Sequence, residues 1–168
     1  INALDYLGCK SEVFSKATEI LKFDKVILPG VGSYSPAMKN LEELGFVDEL
    51  KETVLIKKKP ILGICLGMQL LLDKSYENGE CSGLGILEGE VLPLEDISEG
   101  LVVPHMGWNN VSIQFNGSLF GDHLNKCDND FYFVHSYYCK LNKREAVVGQ
   151  SEYGSNFDCA IEFENIYA

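Results

Sequence analysis

Along the first half of the chain, compact apolar runs bounded by turn residues alternate with stretches in which apolar positions recur every three or four residues. Val26-Ile27-Leu28, closed by Pro29-Gly30, predicts a strand buried on both faces that runs into a tight loop. Beyond it, Ala37, Met38, Leu41 and Leu44 share one helical face as far as Gly45, with Ser35 read as the N-cap and Pro36 as the first helical residue. Val47, Leu50 and Val54 predict a second helix that ends near Pro60. Ile61 to Ile64 predicts another buried strand and Leu66 to Leu72 a helix, so the chain turns from strand to helix at Cys65.

Asn2 to Leu7 reads as the last turns of a helix closed by Gly8, and Glu12 to Phe14 as a short strand. Leu84 to Leu94 and Val102 to Phe115 carry glycine, proline and β-branched residues at turn-and-strand spacing, and Phe131 to Cys139 predicts one aromatic strand. Strands alternating with helices, followed by hairpin-like strands, predict an α/β fold with a mixed sheet. No repeat, low-complexity tract or linker divides residues 1–168, so a single domain is expected.

Charge narrows the choice of partner. Against 14 Lys+Arg the chain carries 25 Asp+Glu, a formal charge of −11, whereas nucleic acid and anionic membranes reward clustered Lys and Arg. Neither is expected as a partner, and the one basic run, Lys57-Lys58-Lys59, reads as a solvated helix end. The longest nearly apolar stretch, Ile61 to Leu72, falls well short of the ~20 residues of a spanning helix. Ile1 to Lys10 shows no basic start followed by an apolar core, so no signal peptide is visible and a cytoplasmic location is expected. Six cysteines stand singly, without a C-x-x-C pair, which favours reduced thiols. The sequence opens at Ile1 inside a helical pattern and stops at Ala168, and both ends are expected to be incomplete.

Gly63-Ile64-Cys65-Leu66-Gly67 has the G-x-nucleophile-x-G form, in which flanking glycines permit a strained strand-to-helix turn that lifts the central side chain out of the sheet. A helix beginning after Cys65 offers unpaired N–H groups and a positive dipole end, both favouring thiolate, and the Leu66 amide is placed as an oxyanion donor. Taken alone, the segment also reads as a small thiol in an apolar core, the commonest fate of a free cysteine. Cys9, Cys81, Cys127, Cys139 and Cys159 lack such a frame and are read as structural or incidental; without a paired ligand motif no metal is expected.

With Pro29-Gly30-Val31-Gly32 ahead of one helix and Gly63-Ile64-Cys65-Leu66-Gly67-Met68-Gln69 ahead of the next, the chain resembles the class I (triad) glutamine amidotransferases. Pro104-His105-Met106-Gly107-Trp108-Asn109 and Tyr132-Phe133-Val134-His135-Ser136-Tyr137 narrow the resemblance to the HisH type, the glutaminase subunits of imidazole glycerol phosphate synthase. It implies the class I amidotransferase fold, a central mixed and mostly parallel sheet flanked by helices. It also implies that Cys65 attacks the side-chain amide of L-glutamine, and that ammonia passes from the thioester-forming step to a HisF-type (β/α)8 cyclase subunit in histidine biosynthesis, without a cofactor. By the same resemblance Leu66 and the Val31–Gly32 region form the oxyanion hole, while Gly30, Gln69, Glu77, Ser136 and Tyr137 hold the substrate. Glu77 lies in the family's S-x-E-x-G stretch, Ser75 to Gly79, and His135 shapes its strand rather than acting as a base. Met106, Gly107, Trp108, Asn109 and Tyr132 match positions at the partner interface and ammonia passage. Apart from the resemblance, Glu77 reads as a solvated surface acid, Trp108 as core or incidental surface, and Phe131 to Tyr138 as a packed aromatic strand.

The family completes its triad with a His and a Glu in an F-H-P-E-K-S segment after a strand resembling Ala160 to Ala168, and the sequence stops just before that point. His105 and His135 belong to other motifs, and His123 sits in an unassigned polar stretch. Two other functions fit the motifs: a paralogue supplying ammonia to a sugar amidotransferase for surface polysaccharide, and a non-catalytic binding module that has lost its triad.

Overall fold

In the computed structural model, which describes residues 1–113, 118–120 and 129–168, a short helix α1 (Asn2–Tyr6) precedes Gly8 as expected. Glu12 to Phe14 is not a strand. The Phe14 ring stacks on Phe23 at 5.0 Å and meets Phe46 at 6.0 Å, so this segment is held by aromatic packing rather than by pairing. A 3-10 turn at Ala17–Lys22 then leads into β1 (Val26–Gly30).

Helix α2 (Tyr34–Glu43) buries Tyr34 and Met38, one turn apart, and begins earlier than the Ser35–Pro36 signal predicts. Ser33 is the N-cap, and Pro36 takes the third helical position, where a backbone N–H still has no carbonyl to meet. Helix α3 (Phe46–Lys51) continues into a π-helical turn at Glu52–Ile56 and buries Leu50, Thr53 and Val54. The lysines that follow are more than a solvated end. Lys58 pairs with Glu164 at 2.6 Å, and the Lys59 ammonium donates to the carbonyls of Leu21 and Phe23 at 2.8 and 2.6 Å.

Strand β2 (Ile61–Cys65) passes directly into α4 (Leu66–Leu70). This helix is shorter than the predicted Leu66–Leu72; Leu71 and Leu72 continue the apolar run because the turn that ends the helix is itself fully buried. There follow β3 (Lys74–Ser75), β4 (Cys81–Ser82), β5 (Gly89–Pro93), β6 (His105–Asn110), β7 (Ser112–Ile113), β8 (Asp130–His135), β9 (Tyr137–Leu141), β10 (Val147–Tyr153), β11 (Ser155–Phe163) and β12 (Ile166–Tyr167).

Among the described residues the main sheet has the order β1-β2-β12-β11-β9-β5-β3-β4, with β10 joining β11 to β7. The sheet is mixed, as expected. Its parallel ladders are β1–β2, β2–β12 and β3–β5, and the other pairings are antiparallel, so parallel pairing is the minority arrangement rather than the rule. Among the described strands β1 pairs with β2 alone, and Ile27 is 39 % exposed rather than buried. Ile61, Leu71, Leu72, Leu84, Val91 and Ile161 form the centre of the core.

The predicted single strand over Phe131–Cys139 is two strands broken at Ser136, and they belong to different sheets: β8 pairs with β6 in a separate ribbon, and β9 pairs with β5. No helix among the described residues is long and apolar enough to cross a membrane.

Candidate active site

Cys65 occupies the junction of β2 and α4 with φ 55° and ψ −115°, a left-handed backbone geometry that a non-glycine residue adopts only under constraint. The two glycines explain how. A Cβ on Gly67 would collide with the Leu28 carbonyl oxygen, and one on Gly63 would lie 2.9 Å from the Met68 backbone, so α4 can fold back tightly against β1 and β2 only with glycine at both positions. The turn leaves Cys65 exposed, and the Leu66 amide, first in its helix, has no intrahelical carbonyl to donate to.

The parallel register sets Gly30 opposite Cys65. Val31 and Gly32 therefore leave β1 at the same end of the sheet as the thiol, with Val31 exposed and Gly32 at φ 104°. Gly30, Val31, Gly32, Cys65 and Leu66, more than thirty residues apart in sequence, are brought together at one sheet edge.

Cys65 borders two cavities. One, of about 240 Å³, is lined by Gln69, His135, Tyr137, Asp158 and Cys159 among others; the second, of about 410 Å³, is apolar, with Ile64, Met68, Phe131, Phe133 and Ala160 in its walls. Tyr132 lines both. The first is smaller than the ~300–1,000 Å³ of sites for drug-sized ligands and suits one small metabolite. Its other thiols are inert: burial, reinforced by the Asp158 charge, pushes Cys159 up to about 12 and Cys139 higher still.

Asp158 was missed by sequence reasoning, and it is no free base. Its buried carboxylate takes a bidentate pair from Arg144 at 2.7 and 2.9 Å, a bond from the Gln150 amide at 2.9 Å and one from the Leu141 N–H at 3.2 Å. Arg144, at the start of a 3-10 turn over Arg144–Ala146, reaches Asp158 on β11 across fourteen residues, and nothing in the local spacing announces the pair.

Glu77 is not a solvated surface acid. It is half-buried, and its Oε2 accepts the Tyr34 N–H at 2.8 Å at the start of α2, while its own N–H donates to Ser75 Oγ at 3.1 Å. The carboxylate thus anchors the helix that directly follows the Val31–Gly32 loop, where negative charge also complements the helix dipole. Its field reaches the cavity wall as well: burial raises the Tyr137 phenol, and the Glu77 charge raises it further.

Both described histidines are fully engaged. His135 Nδ1 lies 2.9 Å from the Tyr137 carbonyl, and its Nε2 lies 2.9 Å from His105 Nδ1. Burial lowers the pKa of both rings, and the neighbouring His135 lowers His105 further. His135 borders the Cys65 cavity, yet it has no free nitrogen with which to take the thiol proton.

The β6–β8 ribbon is two-faced. Cross-strand pairs Met106–Val134 and Trp108–Tyr132 stand out in solvent, the last two as an edge-to-face pair with centroids 5.6 Å apart and exposures of 73 % and 56 %. Gly107 and Asn109 alternate to the other face. Asn109 is turned away from the exposed surface: its Nδ2 donates to the Glu152 carbonyl at 2.8 Å and lies 3.4 Å from His105 Nε2. Ser136 sits at the break between β8 and β9, its carbonyl accepting the Leu94 N–H at 2.9 Å. Cys127 and His123 lie outside the described residues.

The family model for class-I glutamine amidotransferases matches residues 1–168. A relative from Campylobacter jejuni (strain 81-176), imidazole glycerol phosphate synthase subunit HisH 1, is 48 % identical over 166 residues, 99 % of this chain and 81 % of its own length. The corresponding subunit HisH of Wolinella succinogenes is 42 % identical over 173 residues, covering 99 % of this chain and 80 % of its own. Among solved structures, a glutamine amidotransferase crystal structure superposes with a TM-score of 0.69 at 19 % identity, over 99 % of this chain and 79 % of that one, which supports the fold.

Proposed function

The chain belongs to the class I glutamine amidotransferase family, and on that footing we propose that it hydrolyses L-glutamine to glutamate and ammonia as the glutaminase subunit of a cytoplasmic imidazole glycerol phosphate synthase. The observation that carries this reading is Cys65, an exposed thiol on a positive-φ elbow set in register beside the Gly30 end of β1.

The chemistry follows from that placement. The Cys65 sulfur attacks the side-chain amide carbon of a glutamine seated in the cavity bordered by Gln69 and Tyr137. Negative charge builds on the amide oxygen, where the Leu66 N–H and a loop amide from Val31–Gly32 receive it. Gly32, at φ 104° and without a side chain, lets that loop peptide reorient without a side-chain clash. Collapse breaks the C–N bond once the nitrogen gains a proton, ammonia leaves, and water then cleaves the glutamyl thioester to give glutamate and the free thiol. Gln69, Glu77 and the Ser136–Tyr137 backbone hold the amino-acid end of the substrate, with Glu77 as the acceptor for its ammonium. The resemblance assigns the proton-transferring base to the family's F-H-P-E-K-S histidine, oriented by the glutamate two residues on. This agrees with His105 and His135 being committed to one another.

The exposed Met106, Trp108, Tyr132 and Val134 supply an apolar, aromatic docking face of the kind that protein partners bury. A HisF-type (β/α)8 cyclase is the partner assigned to it. Tyr132 lies both on this face and in the walls of the two cavities beside Cys65, which supports an ammonia exit on the docking face. Coupling is expected: glutamine hydrolysis rises sharply when the cyclase binds its own substrate. The test is ammonia release by the purified protein with and without the liganded cyclase, together with rescue of a histidine-requiring strain that lacks its glutaminase subunit. Equal turnover with and without the partner, or failure to rescue, refutes the assignment.

A further inference from the structure

The hydrogen-bond sequence through the paired histidines has only one consistent direction. The Tyr137 carbonyl can only accept, so His135 carries its proton on Nδ1. A neutral ring then leaves Nε2 bare, and the partner 2.9 Å away, His105 Nδ1, must donate to it. His105 Nε2 is bare in turn and faces the Asn109 amide NH2 at 3.4 Å, whose other hydrogen goes to the Glu152 carbonyl. The Asn109 Oδ1 is occupied by the Asn110 N–H at 2.8 Å, so the amide cannot rotate without losing two bonds. Donation therefore runs from Asn109 to His105, from His105 to His135, and from His135 to Tyr137.

Each end of this line matters to a different part of the molecule. Asn109 is next to Trp108 on the ribbon whose other face is the exposed apolar surface. Tyr137 borders the Cys65 cavity, and it faces Pro93 of β5 as a non-hydrogen-bonded pair, the ladder bonds lying one residue to either side, so its carbonyl points away from β5. There the His135 ring supplies it with a donor, while Leu94 holds the Ser136 carbonyl. His105 is 4 % exposed and stacked between Phe133 and Tyr153, with centroids 5.0 and 4.1 Å away, so the middle of the line is rigid.

We infer that His105 and His135 are a positioning pair, two neutral imidazoles held as Nδ1–H tautomers that join the exposed ribbon to the Ser136–Tyr137 backbone beside the Cys65 cavity. This rests on the proposed function for its kinetic consequence, though not for its chemistry. Docking on the ribbon is transmitted to the substrate-holding backbone through this line, since a shift of Asn109 must be matched at Tyr137 or break a buried bond. Burial, which lowers the pKa of both rings, keeps them neutral at physiological pH.

Two measurements test the pair. Long-range proton–nitrogen NMR correlations on the 15N-histidine-labelled protein should show, near neutral pH, a protonated Nδ1 and a bare Nε2 on both residues, the tautomer that free histidine in water disfavours. In the complex with its liganded cyclase, His135→Phe should raise the glutamine KM about three- to tenfold, the equivalent of one lost neutral hydrogen bond, with a smaller change in kcat. His135→Asn keeps an N–H near the Nδ1 position and should restore most of the KM. His105→Phe preserves the stack, removes both nitrogens and should diminish the partner's effect on KM. A proton on Nε2 of either ring overturns the pair, as does a KM equally raised by Phe and Asn at position 135. A wild-type complex that turns over no glutamine contradicts the function proposed above instead; the tautomers, read without substrate, still decide whether the pair exists.

Discussion

Replacing Glu77 by Gln separates its two tasks, because the side chain keeps its shape and an acceptor oxygen and loses only its charge. At the start of α2 the Tyr34 N–H to Oε2 bond, 2.8 Å long, changes from charge-assisted to neutral, a loss of about 1 kcal/mol. Removal of a negative charge set against the N-terminus of that helix adds about 0.3–1 kcal/mol, and because the group is only half-buried the lower end applies. For a chain of this size each kcal/mol moves the midpoint by about 2–4 °C, so thermal unfolding should occur about 3–5 °C lower. Glutamine binding should suffer more, since the substrate ammonium loses its counter-charge: KM is expected to rise about 10- to 100-fold, as for a lost charged hydrogen bond. Calorimetry on the free protein and steady-state kinetics on the complex read the two effects independently. A lowered midpoint with an unchanged KM would make Glu77 purely a helix anchor, and an unchanged midpoint with a raised KM would refute the capping energy.

Three further expectations follow from the geometry. Gly67→Ala drives a methyl group into the Leu28 carbonyl, backbone against backbone, and should destabilise the protein by about 2–3 kcal/mol or more while opening the elbow and abolishing thioester formation; a normal urea midpoint contradicts the close packing. The two histidines have pKa values lowered by burial from 6.5, so below about pH 6.5 the unfolded chain binds protons that the folded one refuses, and stability should fall as the pH drops through that point; urea titrations at descending pH that show a flat midpoint down to the carboxylate range contradict this. Trp108→Ala should leave the fold intact, since the indole is 73 % exposed, and weaken cyclase binding about 30-fold or more, the size expected of an aromatic hot spot; calorimetric titration with unchanged affinity refutes the docking face.

The parts of the site legible in the sequence are those made of neighbours. Gly63 to Gly67 declares the elbow because the turn needs small residues at fixed offsets, and Val26 to Gly30 declares the strand that ends beside it. What escaped depends on residues far apart in the chain. Nothing local marks Ser136 as a break, because it carries neither glycine nor proline; the break comes from Leu94 on one side and the His135 ring on the other. Glu77 reads as a surface acid until α2, 43 residues earlier, presents it with an N–H. Asn109 lies inside a stretch that reads as uniformly interfacial, yet strand alternation turns it inward beside His105. The alternation of strands and helices predicts only a mixed sheet; the mostly parallel one comes with the resemblance, whereas the short strands after Lys74 pair mainly antiparallel.

The most direct test of the account is reaction of the protein, in complex with the liganded cyclase, with a glutamine-analogue electrophile, followed by peptide mass mapping. Cys65 should be labelled stoichiometrically, well ahead of Cys9, which is also exposed, and excess glutamine should protect it. Labelling of Cys65 no faster than Cys9, or indifference to glutamine, would make the elbow thiol a bystander and contradict the central claim.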